Sequence, residues 1–238
     1  MSKASMFWKS IEAIGSGARE AAIRHYLGEA YDQVHHYLMP CPELTSRIAC
    51  ERTREGHGCL YRIVEEPEPN GTYAAVCDEH FCPTKFYTRE ELVRYTINPQ
   101  LLLPAISRCL GLHPQVSAVA DDVWQVGTLP AATERTPVLF TRVRYEDAMQ
   151  RVLEALIIKG SRCFILVTPT ARSLNESCRD LLTRTKSLSF RLDEATVINR
   201  HEPALTEAGR VRWLKEKESI SGSSTLEAAF PTPPGARW

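Results

Sequence analysis

Residues 50–82 read CERTREGHGCLYRIVEEPEPNGTYAAVCDEHFC. Four cysteines fall within these 33 residues, Cys50, Cys59, Cys77 and Cys82, spaced as C-x8-C, a 17-residue gap and C-x4-C. Between the two pairs, Leu60 to Val64 and Thr72 to Val76 are rich in β-branched and aromatic residues, and Glu65 to Gly71 is a turn sequence ending in Asn70-Gly71. That pattern predicts a β-hairpin. One thiol pair precedes its first arm and the other follows its second, so the hairpin gathers four sulfurs.

Four thiolates arranged as a tetrahedron suit a structural Zn²⁺ and leave no open position for a catalytic water. The segment resembles the zinc-ribbon class over about one seventh of the chain. The resemblance implies that Cys50, Cys59, Cys77 and Cys82 ligate a Zn²⁺ that holds the fold. The Cys77–Cys82 knuckle has the usual ligand spacing, whereas the Cys50–Cys59 interval is wider than a ribbon normally uses. Cys41, His57 and His80 stand close enough in sequence to replace one ligand. Unlinked buried cysteines and disulfides are the alternatives. Disulfides rank last, because Lys9, Glu12, Arg19 and Glu20 interrupt any apolar leader at the N-terminus and cysteine-dense chains in reducing compartments more often bind metal.

The 238 residues are 43% apolar with a formal net charge of zero. This is enough for one sizeable core or two smaller ones, and gives no overall pull on phosphate or membrane surfaces. No run approaches the roughly 18 apolar residues of a membrane span, so a cytoplasmic protein without a membrane partner is expected. The neutral total hides an asymmetry. Residues 50–100 carry six Arg or Lys against nine Asp or Glu, and residues 140–217 carry fifteen against ten. Phosphate contacts dominate nucleic-acid affinity, so the C-terminal half is the better candidate for DNA or RNA, through Arg172, Arg179, Arg184 and Lys186. The bland reading is a solvated helix face with Glu176–Arg179 and Asp180–Arg184 paired locally.

The expected fold is α+β: a helical N-terminal half with an inserted zinc-ribbon β-hairpin, followed by a mixed α/β domain. Four segments are expected: helices over 1–49, the ribbon with two helices over 50–112, an α/β domain over 113–200, and a helix with a Pro/Gly-rich tail over 201–238. Phe7, Trp8, Ile11 and Ile14, then Ile23, Leu27, Val34 and Leu38, recur at helical spacing on either side of Gly15-Ser16-Gly17. His35-His36 reads as a pair of helix-end histidines, since neighbours point about 100° apart on a helix. Thr88-Arg89-Glu90-Glu91 is a capping box, expected to open a helix through Val93 and Tyr95 that stops before Asn98-Pro99. Leu101 to Leu110 gives another helix, with Cys109 in its core. Strands are expected at Val123–Val126, Val138–Phe140, Cys163–Val167, Leu188–Leu192 and Thr196–Ile198. Helices are expected from Tyr145 to Ile157 and after a second capping box, Ser173-Leu174-Asn175-Glu176. The order implies at least one parallel strand pair. Leu205 to Lys217 reads as a helix, Ser219 to Ser224 as flexible, and the ending at Trp238 suggests a fragment or a tail that docks elsewhere. Leu205-Thr206-Glu207-Ala208-Gly209-Arg210 resembles the LTxxGR stretch that begins a late helix in winged-helix regulators; six residues assign no fold.

The turn Thr168-Pro169-Thr170-Ala171-Arg172-Ser173 follows a buried strand, where α/β sheets gather ligands. Its hydroxyls and Arg172 suit a phosphate, although helix capping accounts for the same residues and no Gly-rich cradle accompanies them. Hydrolase, metalloprotease, deaminase, kinase and Rossmann signatures are absent. The leading expectation is a zinc-stabilised interaction module that binds nucleic acid or regulates through its basic C-terminal half. The alternatives are a scaffold subunit that meets a protein partner through its N-terminal helices, and an enzyme with a site near Thr168.

Overall fold

The computed structural model describes residues 3–15, 17–50, 59–79, 82–129 and 135–228. The chain opens with α1 (Lys3–Ile14), β1 (Ala18–Arg19), α2 (Glu20–Leu27), a 3₁₀ turn (Gly28–Ala30) and α3 (Tyr31–His35). Strands β2 (Leu38–Leu44), β3 (Arg47–Ala49), β4 (Leu60–Ile63), β5 (Tyr73–Cys77) and β6 (Lys85–Tyr87) follow. Next come α4 (Arg89–Leu92), β7 (Val93–Ile97), α5 (Pro99–Cys109), β8 (Ser117–Ala120), β9 (Val123–Leu129) and β10 (Thr136–Thr141). The remainder is α6 (Glu146–Ile158), β11 (Ile165–Thr168), α7 (Glu176–Arg184), β12 (Leu188–Arg191), α8 (Leu192–Ala195), β13 (Thr196–Asn199), β14 (Glu202–Leu205) and α9 (Glu207–Ala228). The mixture of helix and sheet fits the α+β class. The elements divide into two compact units, a cysteine unit (Ile14–Tyr31 and Leu38–Asn98) and an α/β unit (Met1–Ala13, Asp32–Tyr37 and Pro99–Trp238).

In the cysteine unit, β3-β4-β5-β6 form an antiparallel meander. The turn between β4 and β5 is fixed locally. Asn70 Oδ1 accepts from Thr72 N at 3.0 Å and from Thr72 Oγ1 at 2.7 Å, and Gly71 sits at φ +83°, where a Cβ would be strained. One sheet face is buried around Ile48, Tyr61, Ile63, Ala75 and Leu92. A second sheet runs β1-β7-β2, antiparallel throughout.

The α/β unit holds a five-stranded sheet in the order β12-β11-β10-β9-β8. The β8–β9 and β9–β10 pairs are antiparallel, whereas β10–β11 and β11–β12 are parallel and bridged by α6 and α7. Every residue of β11 is buried, as in a strand covered on both faces. Met149, Leu153 and Leu156 of α6 and Cys178 and Leu182 of α7 present one face each to a shared core with Phe164 and Leu166. α1 adds Phe7, Trp8 and Ile11, all fully buried, and Trp8 Nε1 donates to Thr196 Oγ1 at 2.7 Å. Trp213 of α9 donates from Nε1 to the Leu110 carbonyl at 2.9 Å.

Several local expectations are corrected. The capping box at Thr88 forms, but α4 lasts only four residues before the chain extends into β7. Val93-Arg94-Tyr95-Thr96-Ile97 is β-branched and aromatic, and its position between β1 and β2 satisfies its backbone on both sides. Residues 38–44 are likewise a strand instead of a helix end. Asn175, not Ser173, caps α7, accepting from Cys178 N at 2.9 Å. Helix α9 continues to Ala228, past the Ser219–Ser224 stretch expected to be flexible. β8 was not anticipated. The tail beyond Ala228 lies outside the described residues.

Candidate metal centre

Strand register explains why the thiols meet. Ile48 lies opposite Tyr61, and Tyr61 lies opposite Cys77. Continuing the β3–β4 register, Cys50 N donates to the Cys59 carbonyl at 3.2 Å, so these two cysteines are direct cross-strand partners. Side chains alternate along a strand, so Cys50, Cys59, Tyr61 and Cys77 share the buried face. The wide C-x8-C interval is thereby accounted for: its two cysteines end paired strands. Cys82, half-buried, arrives from the segment after β5.

The sulfurs of Cys50, Cys59 and Cys82 lie within 4.8 Å of one another and can hold a metal ion. The Cys50–Cys82 separation is 3.4 Å and the Cys59–Cys82 separation 4.0 Å. Tetrahedral ligation at a Zn–S distance of about 2.3 Å requires sulfurs about 3.8 Å apart. Cys77, buried on the same face, adds to the rise of the Cys59 and Cys82 thiols but is not one of the three sulfurs that lie within 4.8 Å of one another. Hydrogen bonding to Cys50, then burial, pushes the Cys59 thiol up to about 12. The same two causes raise Cys82. Burial and the neighbouring Cys50 and Cys82 thiols hold the Tyr61 phenol above its usual range. The shifts at Cys59 and Cys82 disfavour their thiolates, which a bound cation would favour. All eight cysteines are free thiols in this structure. Cys41 stands apart from the group, its Sγ 3.3 Å from where a Cβ on Gly17 would lie. His57 and His80 lie outside the described residues.

The cations singled out from sequence do not converge to a point. Arg172 is in the loop before α7, Arg179 and Arg184 are on α7, and Lys186 is in the turn after it. All four are exposed. Arg179 and Arg184, five positions apart, point about 140° from each other on the helix. The expected Glu176–Arg179 and Asp180–Arg184 ion pairs are not formed within 4.0 Å, so local neutralisation is weaker than the sequence suggests.

The strand-end loop is occupied by the protein itself. Glu12 of α1 accepts from Thr170 N at 3.1 Å and from Thr170 Oγ1 at 2.9 Å. Thr170 Oγ1 in turn accepts from Arg172 N at 3.1 Å. Thr168 and Ser173 are fully buried, and neither hydroxyl has a hydrogen-bond partner among the described residues. Burial raises the Glu12 carboxyl despite the Thr170 hydrogen bonds that oppose the shift. A carboxylate at the centre of this loop disfavours the anion suggested from sequence. The signal for Glu12 was available: it lies at i+4 from Trp8, on the buried side of α1.

No family model matches the chain, and neither a curated protein nor a solved structure matches it.

Proposed function

We propose that this chain is a zinc-stabilised binding protein. A structural Zn²⁺ is held by Cys50, Cys59 and Cys82, with Cys77 as the fourth thiolate. The exposed cations Arg172, Arg179, Arg184 and Lys186 contact nucleic-acid phosphate. The observation that carries the metal reading is the three-sulfur group with every sulfur within 4.8 Å of the others. Its separations bracket those of a tetrahedral thiolate site, and a closed cysteine set gives the ion a structural role. Support for the nucleic-acid reading is that Arg179 and Arg184 are exposed with no ion-pair partner among the described residues.

Metal analysis of the purified chain tests the first part. About one equivalent of zinc is expected, lost in Cys82→Ser and kept in Cys41→Ser. A folded protein that takes up no metal refutes it. Fluorescence anisotropy with DNA and RNA pools at low and moderate salt tests the second. Binding should weaken steeply with salt and drop by about tenfold or more when Arg179 and Arg184 become Glu. No binding at low salt leaves a zinc-stabilised scaffold.

A further inference from the structure

The register that sends the thiols to one face of the meander sends two arginines to the other. Arg47 of β3 and Arg62 of β4 are direct cross-strand partners. Ile63 N donates to the Ser46 carbonyl at 2.9 Å, and Cys50 N to the Cys59 carbonyl at 3.2 Å. Ladder bonds therefore flank the arginine pair, which occupies a non-hydrogen-bonded position. Cα atoms approach most closely at such a position, to about 4.5 Å. Like charges directly opposite are destabilising in a sheet, so this pairing has a cost that a bound anion would remove. Internal neutralisation is slight. Among the described residues Arg62 pairs only with Asp78, at 3.9 Å and with its own side chain 61% exposed. Arg47 makes no ion pair among the described residues.

Both arginines line a cavity of about 450 Å³ within the cysteine unit. The lining also includes Thr45 and Val64, on the arginine face by alternation, and Ser46, Ile63, Glu65 and Tyr73, which alternation sends to the other face and which border the cavity at the strand ends. The chain entering it is fixed: Thr45 N donates to the Leu92 carbonyl at 2.9 Å, and Thr45 Oγ1 to the Arg47 carbonyl at 3.0 Å. We propose that this cavity binds a small organic phosphate of nucleotide size, with its phosphate clamped between Arg47 and Arg62. Adjacent guanidinium forks match phosphate oxygens bidentately. The volume falls in the range of small-ligand sites, which run from about 300 to 1,000 Å³. Glu65 can accept from a hydroxyl or amine of the ligand, and it opposes a polyanion, as does the acidic surplus of residues 50–100. The observations thus favour a single phosphate-bearing molecule over a nucleic-acid strand.

The test is calorimetric titration of the zinc-replete full chain with inorganic phosphate, AMP and a short single-stranded oligothymidylate. AMP should bind in the millimolar range or tighter, phosphate more weakly at the same site, and the oligonucleotide no better than AMP. Arg47→Ala and Arg62→Ala should each weaken AMP by about tenfold or more. Both variants should keep their zinc and unfold at the same temperature as the parent or higher, because the like-charge contact is gone. Absence of AMP and phosphate binding overturns the proposal, as does binding unchanged in both variants. Arginine-dependent preference for the oligonucleotide overturns it in favour of a strand-binding surface. Substitution of Arg179 and Arg184 leaves this site untouched, so its failure and that of the nucleic-acid reading are separable.

Discussion

Glu12 shows how one side chain can reverse a reading made from spacing alone. Thr168, Thr170, Arg172 and Ser173 look like an anion cradle until a carboxylate, 4% exposed, is found accepting from Thr170. Burial raises its carboxyl above the ordinary 4.5, with nearby Asp193 adding to the shift and the Thr170 hydrogen bonds and Arg172 opposing it. A raised folded-state value means that the stability linked to Glu12 is complete below about pH 4.5 and declines as pH rises through the higher folded value. Glu12→Gln resembles the protonated form. It should be more stable than the parent at about pH 7, and the difference should vanish as pH falls toward 4.5, as read by urea denaturation across pH. Glu12→Ala should instead destabilise by about 1–3 kcal/mol, because Thr170 loses its acceptor. Gly209 makes a second test. A Cβ there would clash with the Ala195 carbonyl oxygen, which already accepts from Thr206 N at 2.9 Å, while Thr206 Oγ1 accepts from Gly209 N at 2.9 Å. The Thr and Gly of the LTEAGR stretch thus have packing reasons, a cap and a close approach. Gly209→Ala should lower stability by about 1–3 kcal/mol, measured by thermal or urea unfolding.

α4 and β7 show how a correct local signal can coexist with a wrong element. Thr88 Oγ1 accepts from Glu91 N at 3.4 Å, and Glu91 Oε2 accepts from Thr88 N at 2.8 Å, so both halves of the capping box are made. The helix it opens is one turn long, because Val93, Tyr95, Thr96 and Ile97 gain more as a central strand than as a helix with exposed β-branched residues. Thr88→Ala should cost about 1 kcal/mol, the usual worth of an N-cap, and hydrogen exchange should quicken first at Glu91. Elements with a single consistent period were legible in the sequence: α5, α6, β10 and the run leading into β11 all fall close to where their apolar residues place them. Elements whose identity depends on neighbours were not. β2 contains Pro40 and Pro42, which read as a helix stop, yet it pairs along the edge of β7. The thiol site was legible in its residue types but not in its geometry. Nothing in C-x8-C says that Cys50 and Cys59 face each other across paired strands, and the Arg47–Arg62 juxtaposition follows only from the same register.

The two units differ in what holds them. The α/β unit buries long apolar side chains from α6, α7 and a five-stranded sheet, a core that needs no further support. The cysteine unit is built from strands of two to seven residues, and its meander packs around a cluster of nine buried side chains, three of them cysteines. Small sheets of this kind depend on staples, and a structural Zn²⁺ contributes of order 10 kcal/mol in the smallest metal-folded modules. Metal removal should therefore act on one unit and spare the other. With a chelator in excess, amide exchange in Leu60–Ile63 and Tyr73–Cys77 should accelerate by at least about a hundredfold, while Ile165–Thr168 and Val138–Phe140 keep their protection. The thiols must lose protons to bind the ion, so the chelator needed to reach half effect should fall as pH is lowered. Uniform acceleration across both units would mean that the metal supports the fold as one cooperative body. No acceleration would mean that the buried thiols pack as ordinary small apolar groups, with the sheet stable on its register alone. Segment-resolved exchange separates these outcomes where a single melting curve would not, because it reports on each unit's strands by name.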